Sequence, residues 1–215
     1  VCAALAVEAL GKKNVIAAIM PYRTSQPESL ADAALLARIL EIEHHIIDIT
    51  PMANAYFTTY EPEADKLRIG NWLARTRMCV LFDLSVKHRA LVMGTSNRTE
   101  LMVGYVTQFG DAACAFEPIG HLYKTEVWEL AKLLDIPEKI INKTPTADFW
   151  AGQTDEADLG LTYPVLDEIL YAITELDVNV DASENLEHPT ELYRKVERMI
   201  TASAFKRRLP PVLEN

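Results

Sequence analysis

Residues 94–127 read GTSNRTELMVGYVTQFGDAACAFEPIGHLYKTEV and carry the most informative pattern in the chain. They follow the short apolar run Ala90-Leu-Val-Met93, which reads as a buried strand. The segment opens with Gly-Thr-Ser-Asn, reaches a carboxylate at Glu100 and crosses a glycine-bearing loop. It returns a lysine, Lys124, at the mouth of an apolar-periodic helix. A strand, a small-residue turn, an acid and a returning lysine is how α/β proteins hold a nucleotide and its metal at the carboxyl ends of strands.

Outward from this segment, the pattern alternates. Val1–Leu10 reads as a helix, apolar nearly all round, with Gly11 as its stop. Val15–Met20 is a continuous apolar run ended by Pro21, as in a strand covered on both faces. Glu28–Leu40 has helical period through Leu30, Ala33, Ala34, Ala37 and Leu40. Ile46–Ile49 predicts another short strand and Lys66–His88 a long helix before Ala90–Met93. Val127–Leu134 is helical, Pro137 opens a short helix, and Leu161–Leu176 and Thr190–Ala204 complete the chain. The last of these places Leu192, Val196, Met199 and Ile200 on one face. Strands alternating with helices predict an α/β fold, a doubly wound parallel sheet with helices on both faces. Residues 1–215 are read as a single domain, with 21–26 and 94–100 close together at the strand ends.

Composition narrows the classes. The 215 residues are 49% apolar and 24% charged, ordinary for a globular domain with a sizeable core. No apolar run approaches the roughly 20 residues that span a bilayer, and Val1–Leu10 lacks a basic start and a cleavage pattern. Cys2, Cys79 and Cys114 are odd in number and widely spaced, which fits a reduced, cytoplasmic protein. A net charge of −10 argues against non-specific nucleic-acid binding. It leaves room for a small anionic ligand on a local cluster such as Arg75 and Arg77, or Lys206, Arg207 and Arg208.

At Gly94–Glu100, followed by Gly104-Tyr-Val-Thr-Gln-Phe-Gly-Asp111, the chain resembles the NAD synthetases, and among them the short, ammonia-dependent members. The likeness continues through Asn71–Met78, Pro118–Val127, Lys143–Asp148, Gly152–Glu156 and Lys206–Arg208, so it spans nearly the whole chain. It implies a Rossmann-like fold of the ATP pyrophosphatase type. In that type a Ser-Gly-Gly-x-Asp-Ser loop holds pyrophosphate at a helix N-terminus. By the family pattern this loop, with the first strand, lies immediately before Val1. The alternative is a relative that has lost it, and catalysis with it.

The chemistry the resemblance implies is amidation of deamido-NAD: ATP adenylates the carboxylate, and ammonia expels AMP. It gives ATP as substrate and Mg2+ as the metal. Glu100 matches the magnesium carboxylate, although Asn97-x-x-Glu100 also has capping-box spacing. Thr95, Lys124 and Thr146 match ATP contacts, and Arg23 is placed at the adenine edge. Read locally, Thr95 is equally a turn hydroxyl. A lysine at a helix start opposes the helix dipole, which favours a functional Lys124.

Arg75 and Lys206 match deamido-NAD contacts, and Asn71 shares a helix face with Arg75. At three further dinucleotide positions the chain departs from the family: Gln108 stands where lysine is usual, Ala115 for aspartate and Phe205 for histidine. The three departures bear on the acceptor and leave the ATP positions untouched. The family also implies a homodimer. No glutaminase domain fits within the chain, so ammonia is expected from solution or a separate partner, unless a large upstream portion precedes Val1. Two alternatives remain, an ATP pyrophosphatase that amidates another carboxylate and a non-catalytic nucleotide-binding relative. Residues 108–116, 146–153 and 206–213 are expected to order when ligand binds, excluding water from a reactive adenylate.

Overall fold

The structure is a computed structural model and describes residues 1–150, 152–181 and 186–213. Ala151 of the 146–153 segment lies outside the described residues. Helix α1 (Cys2–Leu10) ends at Gly11, whose φ of 82° is open to glycine, and a single 3-10 turn leads into strand β1 (Ile16–Ile19). Helix α2 (Pro27–Ile39) returns the chain to β2 (Glu43–Ile46), which pairs parallel to β1 with Ile16 opposite Glu43 and Ile19 opposite Ile46.

Alternation places Val15 and Ala17 on one face of this sheet, where they pack with Ile42 and with Ala37 of α2 and Ala3, Ala6 and Val7 of α1. The other face carries His45, whose ring meets His88 at a centroid distance of 5.4 Å. His88 ends α4 (Lys66–His88), so helices flank both faces. Between β2 and α4, α3 (Thr50–Tyr60) and α4 enclose a second core of Tyr22, Ile49, Ala53 and Leu73.

Both sequence-predicted strands after β1 differ from the structure. Pairing takes Glu43–Ile46 rather than Ile46–Ile49, because packing of Ile42 against Val15 and Ala37 sets the register. Beyond Ile46 the ladder continues only through Ile47 N–H to Ile19 O (2.9 Å) and Ile49 N–H to Pro21 O (3.0 Å). Ala90–Met93 forms no strand; Met93 makes one parallel bridge with Phe116. Leu91 is 75% exposed, so this run is not covered on both faces. Its polar groups are satisfied by 115–116: Val92 O accepts Ala115 N–H at 2.8 Å and Phe116 O accepts Gly94 N–H at 2.9 Å.

The C-terminal half is a helical layer. Helices α5 (Arg98–Val103), α6 (Lys124–Leu133), α7 (Glu138–Ile141), α8 (Asp155–Leu159), α9 (Tyr163–Thr174) and α10 (Thr190–Ala202) follow in order. On α9, Tyr163, Leu166, Ile169 and Leu170 are fully buried at helical spacing, and Val196 of α10 packs with them. Burial of each such side chain contributes about 1.5–3 kcal/mol, which fixes the N-termini of α5 and α6 over this layer. A 3-10 turn over Ala204–Arg207 follows α10.

Candidate active site

The N-terminus of α5 is closed by a capping box. Asn97 Oδ1 accepts Glu100 N–H at 3.0 Å, and Glu100 Oε2 accepts Asn97 N–H at 3.1 Å. The remaining oxygen, Oε1, accepts from Lys124 Nζ at 3.0 Å, with both side chains about one-sixth exposed (16% and 17%). Glu100 therefore caps α5 through one carboxylate oxygen and pairs with Lys124 through the other. Residues 24 apart in sequence meet because α5 and α6 share Asp167 of α9. Thr99 Oγ1 donates to Asp167 Oδ1 and accepts Lys124 N–H at 2.9 Å, while Asp167 Oδ2 accepts Thr125 N–H at 2.8 Å. Burial pushes the Asp167 carboxyl above the usual range, against the pull of these hydrogen bonds.

A polar network, buried at Tyr163 and Asp155 and reaching the surface at Asp158, adjoins Lys124. The Tyr163 hydroxyl donates to Asp155 Oδ2 at 2.9 Å. The Tyr105 hydroxyl is within reach of Asp155 Oδ1 (3.2 Å) and Asp158 Oδ2 (2.9 Å). Burial raises the pKa of Asp155, Tyr105 and Tyr163 alike, Lys124 pulling Asp155 back and Glu100 opposing it.

The loop after α5 is tied down from two sides. Gly104 caps the helix at φ 72°, and a Cβ there would meet Ser203 Cβ at 2.1 Å. Lys206 Nζ donates to Gly104 O and Val106 O, each at 2.8 Å, and Arg207 donates to Leu101 O and Met102 O. From α4, Asn71 Oδ1 accepts Thr107 Oγ1–H at 2.9 Å, and Arg75 Nε donates to Gln108 O at 3.2 Å. The structure thus brings together Arg75, Gln108 and Lys206, three of the residues matched to the dinucleotide. Ala115 and Phe205 are exposed, and Phe205 is 57% so. Beside Arg75 a groove of about 220 Å3 is lined by Tyr56, Phe57, Arg68, Asn71 and Trp72, with the Tyr56 and Trp72 rings stacked at 3.9 Å.

Glu117 had no sequence signal. Its carboxylate occupies the space a Cβ on Gly94 would need, 2.3 Å from the nearest atom. One oxygen accepts Ser96 N–H at 3.1 Å and the other faces the Cys114 thiol at 3.3 Å. Burial raises the Glu117 pKa, and burial beside this carboxylate pushes the Cys114 thiol up to about 11.

At the end of β1, Thr24 Oγ1 donates to Phe149 O at 3.1 Å and Gln26 N–H to Asp148 Oδ2 at 3.1 Å. Thr146 Oγ1 accepts Asp148 N–H at 3.0 Å. Arg77 donates to Met20 O at 3.1 Å and covers the Phe149 ring. Arg23 lies exposed over the Tyr22 ring, and Thr95 is exposed two residues after the Met93 bridge. Among the described residues no hydrogen bond joins 21–26 to 94–100, and no group of three or more His, Cys, Asp or Glu could hold a metal ion. One carboxylate oxygen, Glu100 Oε1, suits an ion that takes its other ligands from phosphate and water.

Asp167, Asp155 and Glu117 had no role in the sequence reading, although Asp155 lies within the Gly152–Glu156 motif. The first lies on the apolar stripe of α9, where an acid has no periodic signature; only its place among buried positions at i, i+3 and i+4 marks it.

A family model described as NAD synthase matches residues 1–210. The chain is 49% identical over 203 residues to the NH(3)-dependent NAD(+) synthetase of Fusobacterium nucleatum, covering 94% of this chain and 78% of that protein. The solved structure of NMN synthetase from Francisella tularensis superposes with a TM-score of 0.86 at 32% identity, covering 100% of this chain and 84% of the other. The NH3-dependent NAD synthetase from Campylobacter jejuni gives a TM-score of 0.82 at 35% identity over 99% of this chain and 83% of the other.

Proposed function

The chain belongs to the NAD synthase family, and on that premise we propose that it forms a C–N bond. ATP adenylates the nicotinate carboxylate of deamido-NAD, and ammonia converts the adenylate to the amide of NAD, so that ATP yields AMP and pyrophosphate. We read residues 1–215 as one domain for this reaction.

The observation that supports this reading in the geometry is the Lys124–Glu100 pair. A magnesium triphosphate offers each partner a replacement of opposite charge. Lys124 would turn from Glu100 to a phosphate oxygen, and Glu100 Oε1, so released, would hold the magnesium ion. Bound magnesium screens phosphate charge and favours attack at the α-phosphorus. The other proposed roles belong to the chain's own side chains. Thr95 and Thr146 would offer hydroxyls to ATP, and Arg23 would border the adenine.

On the acceptor side, Arg75, Gln108 and Lys206 would meet deamido-NAD, with Ala115 and Phe205 forming apolar walls. A carboxylate oxygen attacks the α-phosphorus and pyrophosphate leaves. Ammonia then adds to the acyl carbon, AMP departs with the original carboxylate oxygen, and one proton is released. The protein's contribution is orientation and fixed charge.

Incubation with ATP, Mg2+, ammonium and deamido-NAD should give NAD, AMP and pyrophosphate in equal amounts. Absence of AMP would overturn the reading. A second reading takes nicotinate mononucleotide as acceptor. It is favoured by the fit to a structure named as an NMN synthetase, together with the uncharged, exposed Ala115 and Phe205. Competition between the two acceptors at equal concentration separates them.

The protein is further proposed to be a cytoplasmic homodimer. The exposed Leu67, Phe82 and Val86 of α4 offer apolar surface for such contact. Sedimentation of the purified protein would test the dimer.

A further inference from the structure

Tyr163 is wholly buried at the start of α9, yet its ring does more than fill the core. Lys124 Nζ lies over its face, 4.8 Å from the ring centroid. The ring is fixed both from outside the lysine's own helix, by Asp155 of α8, and from within it, by Trp128 of α6. Its hydroxyl is held by Asp155 at 2.9 Å, and the Trp128 ring meets it nearly perpendicular, centroids 6.0 Å apart. Asp155 is braced in turn by Tyr105 at 3.2 Å, which also reaches Asp158. Asp158 Oδ2 accepts Gln153 Nε2–H at 2.8 Å, and Gln153 Oε1 accepts Phe149 N–H at 3.0 Å. A continuous set of contacts thus runs from the loop after Thr146 to the ring beneath Lys124.

The ammonium has two different partners. Glu100 is a charged carboxylate that any competing cation can take. The Tyr163 ring is neutral, and burial beside Asp155 keeps its hydroxyl protonated. The attraction of a cation to a ring face persists whichever anion the cation meets on its other side. We infer that Tyr163 is a positioning residue for Lys124, its ring holding the ammonium in place while the lysine exchanges Glu100 for an ATP phosphate. The inference rests on the reading of Lys124 as the ATP-phosphate lysine. It assigns the Asp155 network the task of orienting the ring.

The test is a double-mutant cycle read as KM for ATP. Lys124→Ala alone should raise this KM at least about tenfold; an unchanged value would remove the underlying reading of Lys124. Tyr163→Leu should raise it about tenfold with a smaller change in kcat, and Tyr163→Phe, which keeps the ring, about twofold. In the Lys124→Ala background neither substitution should raise it further. Equal effects in both backgrounds, with Lys124→Ala itself impaired, would show Tyr163 to be a core residue only and would overturn the proposal alone.

Should Tyr163→Leu not fold, the wild-type protein supplies the answer by NMR. The Lys124 ε-protons, assigned by their loss in Lys124→Ala, should be shifted upfield by the ring, both free and with Mg2+ and an α,β-methylene ATP analogue. A return to the ordinary lysine position on adding the analogue would contradict the proposal.

Discussion

Lys124 Nζ lies 3.0 Å from Glu100 Oε1, while the other oxygen of that carboxylate accepts Asn97 N–H at 3.1 Å. One oxygen serves the fold and the other is held by a cation that can move. Glu100→Gln separates the two, because an amide oxygen still caps α5. Thermal and urea unfolding should change by no more than about 1 kcal/mol. Amidation should fall about a hundredfold or more, with a higher Mg2+ requirement. Unchanged Mg2+ dependence would show that Glu100 is a cap alone.

Asp167 accepts from both Thr99 and Thr125, joining α5 to α6. Asp167→Ala leaves the buried Thr99 hydroxyl and the half-buried Thr125 N–H without their acceptor, so urea unfolding should show a loss of about 2–4 kcal/mol. Thr99→Val should cost less in that background than in the wild type, because the Thr99–Asp167 contact is then already gone while Lys124 N–H loses its acceptor either way.

The folded-state pKa of Glu117 is raised above its ordinary 4.5 by burial, with Asp111 and Glu100 adding to the rise. Between the ordinary and raised values the folded protein binds more protons than the unfolded chain. Wild-type stability therefore falls as pH rises through that window. Glu117→Gln lacks this titration. Its stability relative to wild type should increase with pH above about 4.5, as measured by urea unfolding at a series of pH values. A constant difference would exclude the buried ionisation.

Cys114 holds its proton up to about pH 11 because it is partly buried beside Glu117, whereas Cys79 is exposed. Reaction with a maleimide at pH 7.5, followed by mass spectrometry, should label Cys79 first. Glu117→Gln should accelerate Cys114 labelling, since it removes the negative charge 3.3 Å from the sulfur.

The long amphipathic helices were the most legible part of the sequence, whereas α3, α5 and α8 were not read as helices. Lys66–His88 runs as read from its pattern, and Leu192, Val196, Met199 and Ile200 pack on one side of α10. The strands were less so. In Ile46–Ile49 and Ala90–Met93 a short apolar run states that residues prefer burial, but not which backbone pairs with them. The pairing was set by Ile42 against Val15 in one case and by 115–116 in the other. In the site, Glu100 and Lys124 stood out through motif spacing and do meet. The acids that place them, Asp167 and Asp155, bind partners 42 to 68 and 8 to 50 residues away. Such contacts exist only once the helical layer has formed.

The route of the carboxylate oxygen distinguishes adenylation from any other activation of the acceptor. Deamido-NAD labelled with 18O in the nicotinate carboxylate should be converted with ATP, Mg2+ and ammonium, and the AMP analysed by mass spectrometry. Adenylation followed by ammonia attack puts one labelled oxygen into each AMP and leaves the other in the amide of NAD. Unlabelled AMP, or label recovered in inorganic phosphate, would contradict it.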